Sequence, residues 1–349
     1  SWGFNGQLES HLMTKWMQHP HLRSCESDRT IHPGREPSRM HRAWRGLCIG
    51  SLLLCINACA VVDPKSPRNY TLEKARETGF QDHTPKDFPG LVLLKQSQPN
   101  LKVAIPTATG ANMAPRLIIF IEGDGAAWRR SGTRPPRDPT PEHLIPLELA
   151  ILESGQVDLR VRTEERQTFI AYLSRPCQFR WASECTAALW TSARFGSRVQ
   201  ALMNSAISAL VQTTLARSGM KSGSQPHLSL IGYSGGGTIA ALLAASRDDV
   251  SCLITLAAPL DIRAWEKDRG LSPLSGSQNP VDLLDSLGAL RSHHFVGEND
   301  SVVRLVALGE FAKPANGRQV HLVPETSHTL GWTNSWKHLR QLTCLKENS

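Results

Sequence analysis

The sequence contains no Lys/Arg block interleaved with aromatic residues, although its 349 residues carry a formal charge of +8. A nucleic-acid-binding footprint is therefore absent, and nucleic acid is not an expected partner. The basic excess reads as solvated surface: residues 1–58 hold 7 Lys+Arg against 4 Asp+Glu, and the remainder is close to balanced. No C-x-x-C pair occurs, so neither a zinc site nor any other metal is expected. No apolar run reaches the roughly 20 residues that span a bilayer. Internal repeats and low-complexity tracts are also lacking. What is left is the composition of an ordinary globular protein, 40% hydrophobic and 20% charged, long enough for one large domain or two small ones.

The N-terminal region departs from this pattern. Residues 1–39 start with Ser, are rich in His, Arg, Pro and Ser, and show no apolar period. They are expected to be an upstream segment outside the fold. From Met40, "MHRAWRGLCIGSLLLCINACA" has a basic flank (His41, Arg42, Arg45), an apolar run over about 46–56, and small residues leading to Cys59. That is the layout of an export signal, predicted over 40–58. "INAC" resembles a bacterial lipobox, in which the cysteine becomes the lipidated first residue of the mature chain. The resemblance implies lipidation of Cys59, a membrane as partner through that anchor, and residence in the bacterial cell envelope, on the periplasmic side of the outer membrane. A plain signal peptide and a buried apolar helix are the alternatives. Residues 59–89, polar and containing Pro64, Pro67, Pro85 and Pro89, are expected to be a tether and entry loop.

Export permits disulfides. Cys177 and Cys185, eight apart in the loop-like "RPCQFRWASEC", are candidates for a small ring. Cys252 lies within an apolar run and is expected to be a small buried residue rather than half of a bridge.

Beyond residue 90, apolar runs bounded by turn residues recur. Strands are predicted at 90–95, 101–106, 116–123, 168–174, 228–234, 252–258, 293–298 and 320–324. The later runs are continuously apolar, as in strands covered on both faces. Helices are predicted between them at 140–154, with Thr140 as N-cap and Pro141 at the first position, and at 198–219, 236–247 and 332–345. Strands alternating with helices indicate an α/β domain over 90–349 with a mostly parallel sheet.

One stretch carries chemistry. "LSLIGYSGGGTIAALLAA", residues 228–245, sets G-x-S-x-G between an apolar strand and an Ala/Leu-rich helix. A turn this sharp strains the backbone of its apical residue and squeezes together the positions two on either side, which Gly232 and Gly236 occupy. Ser234 is thereby lifted above the sheet as a nucleophile. A serine hydroxyl needs a base and an orienting acid, and on this architecture they follow in the order Ser, Asp/Glu, His. Asp300 in "HHFVGENDSVV" is the candidate acid, with Asp261 and Glu298 as competitors. His328 in "VHLVPETSHTLGW" is the candidate base; His293, His294, His321 and His338 sit within or at the wrong end of predicted elements. One oxyanion donor is expected at the Gly235 amide. The other falls in "FIEGDGAAW", at the Asp124 amide or alternatively that of Gly125. Tyr233 and Trp128 are candidate pocket walls.

These motifs together resemble the α/β-hydrolase family, and within it exported bacterial lipoprotein hydrolases. The resemblance runs from about residue 90 to the C-terminus. It implies a sheet of about eight strands with helices on both faces. It also implies ester, thioester or amide cleavage through an acyl-enzyme with no cofactor, and a small-molecule or lipid ester is the expected substrate. Acyl transfer, peptide cleavage and a non-catalytic binding lipoprotein are the competing functions. The chain departs from the family at the oxyanion loop, where Glu122-Gly123 stands in place of the frequent His-Gly. Residues 261–290 occupy the position of a short lid.

Overall fold

A computed structural model describes residues 66–97, 113–127, 135–160, 166–220, 224–288, 290–313 and 315–346. The export segment, Cys59, Trp128 and the predicted strand at 101–106 lie outside the described residues. A capped helix opens the described chain. Ser66 Oγ accepts the Asn69 N–H at 3.3 Å and Pro67 takes the first helical position, so α1 runs Pro67–Glu77. A short strand β1 follows at Gln81–Asp82. The 59–89 segment is therefore not merely tether and loop: Pro67 starts a helix, and a strand follows it. The domain begins well before residue 90.

The remaining elements alternate. They are β2 Val92–Gln96, β3 Arg116–Ile121, α2 Ile145–Arg160, β4 Thr168–Leu173, α3 Ser197–Ser218, β5 His227–Tyr233, α4 Gly235–Ala244, β6 Val250–Leu256, α5 Ile262–Arg269, α6 Leu284–Leu287, β7 Ser292–Gly297, β8 Arg318–Val323 and α7 Trp332–Leu339. Helix α2 starts later than its sequence signals suggest. The Thr140 hydroxyl accepts the Phe179 N–H at 2.8 Å and donates to Asp138 at 2.5 Å, so it holds a neighbouring loop instead of capping a helix.

The strands form one eight-stranded sheet in the order β1-β2-β4-β3-β5-β6-β7-β8. Strand β2 is antiparallel to both neighbours, and from β4 onward every pairing is parallel. Side chains alternate across this sheet, and each face has its own core. From β3, Leu117, Ile119 and Ile121 join α3 and α4, whereas Ile118 and Phe120 join α1, α2 and α7. Burial on both faces explains why these strands read as unbroken apolar runs.

Among the described residues two disulfides brace the fold. Cys177–Cys185 closes the predicted small ring, with Cα atoms 5.7 Å apart. Cys252 is buried as expected but also bonds Cys344, with Cα atoms 5.9 Å apart and 92 positions between them. The expectation of an unbridged Cys252 fails because the chain end returns beneath β6, a contact that local spacing does not encode. The 261–290 segment, read as a lid, folds into α5, a 3-10 turn at Pro280–Leu283 and α6. It is tied down by Ser277, whose hydroxyl donates to Ser192 O at 2.9 Å, and by Trp265 Nε1, which donates to Val302 O at 2.8 Å. Among the described residues no helix is long and apolar enough to cross a membrane.

Candidate active site

Parallel strands bring their carboxyl ends to one edge, where ligand sites of open α/β sheets form. Ser234 follows β5 there, Asp300 follows β7, His328 follows β8, and the 122–125 loop follows β3. Ser234 adopts φ 52° and ψ −128°, a left-handed conformation that a non-glycine residue holds at a cost of about 1–3 kcal/mol. Close packing enforces it. A Cβ at Gly232 would overlap the Gly236 carbonyl, and one at Gly236 would overlap the Glu122 carbonyl. The strand, the next helix and the β3 loop thus meet with no room for a methyl group.

The three candidate triad residues are joined by hydrogen bonds. Ser234 Oγ lies 3.1 Å from His328 Nε2, and His328 Nδ1 lies 2.9 Å from Asp300 Oδ2. A carboxylate only accepts, which assigns a proton to Nδ1; in the neutral imidazole Nε2 then presents a lone pair to the serine. Asp300 is fixed in turn: its Oδ1 accepts the N–H groups of Val302 and Val303, both at 2.8 Å. Its side chain is fully buried, whereas that of His328 remains 17% exposed. The acid and base loops are cross-linked by Glu298 N–H to Val323 O and Asn299 N–H to Thr326 O, each 2.9 Å.

The competitors have other contacts. Asp261 caps α5 through the Ala264 N–H and accepts from Asn279 at 3.0 Å, while Glu298 faces solvent. His293 stacks on His321, and burial lowers the His293 imidazole to about 4. His294 is buried against Thr255, and burial pushes it down to about 3. His338 lies on the exposed side of α7. Tyr233, the candidate pocket wall, has its ring 5.5 Å from that of His328. Its hydroxyl donates to the His328 carbonyl at 2.7 Å, as does Trp332 Nε1 at 2.9 Å, so both hold the base loop from behind.

The β3 loop contains what sequence reasoning missed. Glu122 is fully buried; its carboxyl accepts the Gly123 N–H and the Tyr172 hydroxyl, both at 2.9 Å. Burial outweighs those two bonds and raises its pKa to about 8, so it is protonated at neutral pH. The Asp124 carboxylate pairs with Arg175 at 2.6 Å and Arg194 at 3.0 Å. It lies against Gly235, where a Cβ would overlap it. Gln178 Nε2 donates to the Gly123 carbonyl at 2.9 Å. Neither the Asp124 nor the Gly235 backbone N–H has a hydrogen-bond acceptor among the described residues. The clue available in the sequence was the clustering of Arg175 and Gln178 around Cys177. Nothing marked Arg194. Among the described residues no cluster of three metal-ligating side chains occurs.

The strand order, the antiparallel second strand and the strand–serine–helix turn after β5 define the α/β-hydrolase fold. No family model matches the chain, and no curated protein matches it. Solved structures align over most of its length. The chain is similar to XC6422 from Xanthomonas campestris, a serine hydrolase without a lid, at 14% identity, covering 77% of this chain and 97% of that one, with a TM-score of 0.41. It is similar to Est1E from Butyrivibrio proteoclasticus at 13% identity, covering 77% and 100%, with a TM-score of 0.41. It is also similar to a proline iminopeptidase from Mycobacterium smegmatis at 12% identity, covering 75% and 95%, with a TM-score of 0.46.

Proposed function

We propose that the protein is a serine hydrolase that cleaves carboxylic esters through an acyl-enzyme, with Ser234 as nucleophile, His328 as base and Asp300 as the orienting acid. The observation that carries this reading is the unbroken path from Ser234 Oγ through the imidazole to a buried carboxylate. His328 Nε2 takes the hydroxyl proton as Oγ bonds to the ester carbon. The carbonyl π electrons move onto oxygen, and the resulting oxyanion accepts from the Gly235 and Asp124 N–H groups. Collapse breaks the bond to the alkoxy oxygen, which leaves with the proton from His328. Water repeats the sequence: His328 removes its proton, the acid product is released, and Ser234 recovers its hydrogen.

The substrate is a small-molecule or lipid ester, and the chemistry described uses only groups of the chain. The lipobox-like sequence at Cys59 supports export and anchoring to the envelope, and two disulfides are in keeping with an oxidising compartment. A mass spectrum of the mature protein lacking a lipid-bearing Cys59 would remove the anchor and leave the chemistry untouched. The chemistry is tested with a fluorophosphonate probe on the purified protein and on Ser234→Ala. Labelling of the native protein alone is expected. Equal labelling of the variant would overturn the nucleophile assignment.

A further inference from the structure

The loop that supplies the second oxyanion donor makes no hydrogen bond to Ser234, His328 or Asp300 among the described residues, and several of its hydrogen bonds and both of its ion pairs come from one distant stretch, residues 175–194. Gln178 is buried and bridges two backbone groups: its Nε2 donates to the Gly123 carbonyl at 2.9 Å, and its Oε1 accepts the Arg175 N–H at 3.0 Å. The peptide between Gly123 and Asp124 is trans, so its carbonyl and N–H point in opposite directions. A side chain that fixes the Gly123 oxygen therefore fixes the direction of the Asp124 N–H. Gln178 is itself placed by a constrained turn. Cys177 and Phe179, on either side of it, have φ 69° and 66°, and Cys177 is bonded to Cys185. The Cys177 N–H donates to the Pro89 carbonyl, and the Phe179 N–H donates to Thr140 Oγ1.

Charge makes the second half of the argument. A carboxylate beside Gly235 would repel an oxyanion forming at the Gly235 N–H. The Asp124 side chain occupies that place, but it is bracketed by two guanidinium groups whose side chains are 5% and 8% exposed. Arg175 is fixed further by donating to the Arg194 carbonyl, and Arg194 by donating to Thr191 O at 2.7 Å. Two buried cations against one anion leave the cluster net positive at the point where negative charge develops.

We propose that residues 175–194 form the positioning element of the oxyanion hole. Gln178 aims the Asp124 N–H, while Arg175 and Arg194 tether the Asp124 carboxylate and cancel its charge beside the forming oxyanion. The inference rests on the acyl-enzyme reading above, and these residues act through the loop without touching the reacting atoms.

The test is Gln178→Met, which preserves volume and removes both hydrogen bonds. Turnover of a p-nitrophenyl ester, affinity for a phenylboronic acid and rate of fluorophosphonate labelling are measured beside the native protein. A displaced donor weakens only the tetrahedral state, so kcat is expected to fall about 10- to 100-fold with KM within about twofold. Boronate affinity is expected to fall in parallel. A folded variant with native kcat and native boronate affinity would overturn the proposal. So would a rise in KM with kcat unchanged. Should Gln178→Met not fold, Gln178→Glu serves: a carboxyl group donates to the Gly123 carbonyl only when protonated, so its kcat relative to native is expected to recover as pH falls from 8 to 6. A pH-independent ratio would contradict the proposal. If the native protein itself escapes fluorophosphonate, the acyl-enzyme reading falls and this inference with it. If the native protein is labelled and the variants turn over normally, this inference alone falls.

Discussion

The two sides of the candidate site are built in different ways. On one side, Ser234, Asp300 and His328 each stand in a short loop directly after a parallel strand. Backbone turns and neighbouring amides hold Ser234 and Asp300 within a few residues of their own positions, while His328 is also held by the Asp300 carboxylate and the Tyr233 hydroxyl. On the other side, the 122–124 loop is shaped by side chains from a segment more than fifty positions away, through buried arginines, a buried glutamine and a disulfide. The candidate triad rests largely on backbone geometry; the surroundings of the proposed oxyanion site are assembled from tertiary contacts. The first kind of construction tolerates little change in glycine and strand pattern, and the second little change in charge.

The largest expected effect breaks the first side. Ser234→Ala is expected to lower kcat by about 10⁴- to 10⁶-fold, and Asp300→Asn by about 10⁴-fold, since the buried amide no longer enforces the Nδ1–H tautomer. Both are read with a chromogenic ester, and thermal unfolding serves as the control for folding.

The two disulfides sharpen the contrast. The Cys252–Cys344 bridge closes a 92-residue separation that contains both Asp300 and His328. In the chain-entropy picture, replacing both cysteines by Ala costs about 4–5 kcal/mol of stability. The Cys177–Cys185 bridge spans 8 positions, and its removal costs about 2–3 kcal/mol on the same argument. Urea denaturation ranks the two. The smaller stability loss is expected to accompany the larger fall in kcat, because the short ring adjoins Gln178.

Stability against pH separates the regions again. Native Glu122 is protonated up to about pH 8, while its ordinary value is 4.5. The stability it contributes is full below the ordinary value and is lost as pH rises through about 8. His293 and His294 act with the opposite sign. Buried neutral at about 4 and about 3 against an ordinary 6.5, they contribute stability that is present above 6.5 and lost as pH falls toward those values. Urea midpoints are therefore expected to decline on both sides of about pH 6.5: on the acid side as the two histidines are charged in the unfolded chain, and on the alkaline side up to about pH 8, above which the Glu122 contribution no longer changes. In Glu122→Gln the alkaline decline flattens while the acid one remains. An unchanged alkaline decline would show that Glu122 is not the group responsible.

The smallest effect concerns the acid. Glu298 faces solvent two positions before Asp300. Glu298→Gln is expected to leave kcat within about twofold of native, because an exposed charge outside the hydrogen-bonded path contributes little.

The strands and the serine turn were legible because their causes are local. Continuous apolar runs report burial on both faces, and Gly232 and Gly236 report a turn without space for a Cβ. Asp300 and His328 were legible from chain order and their place after a strand. The hydrogen bond of Tyr233 was not: its hydroxyl reaches a carbonyl ninety-five positions on. Arg194, the Cys252–Cys344 bridge and the pairing of Asp124 were hidden for the same reason. Each is a contact between distant segments, and no periodicity or spacing along the chain encodes it. The α1 helix was masked by Pro67, a residue that breaks extended pairing yet starts a helix equally well.

The central claim is that Ser234 carries an acyl group during turnover. It is tested most directly by quenching the purified protein in acid during steady-state hydrolysis of a p-nitrophenyl ester and mapping the peptides by mass. The account predicts one acyl adduct, on the peptide containing Ser234, that accumulates when deacylation is slow and disappears in Ser234→Ala. Turnover accompanied by an adduct on another residue, or sustained at the native rate in Ser234→Ala, would contradict it.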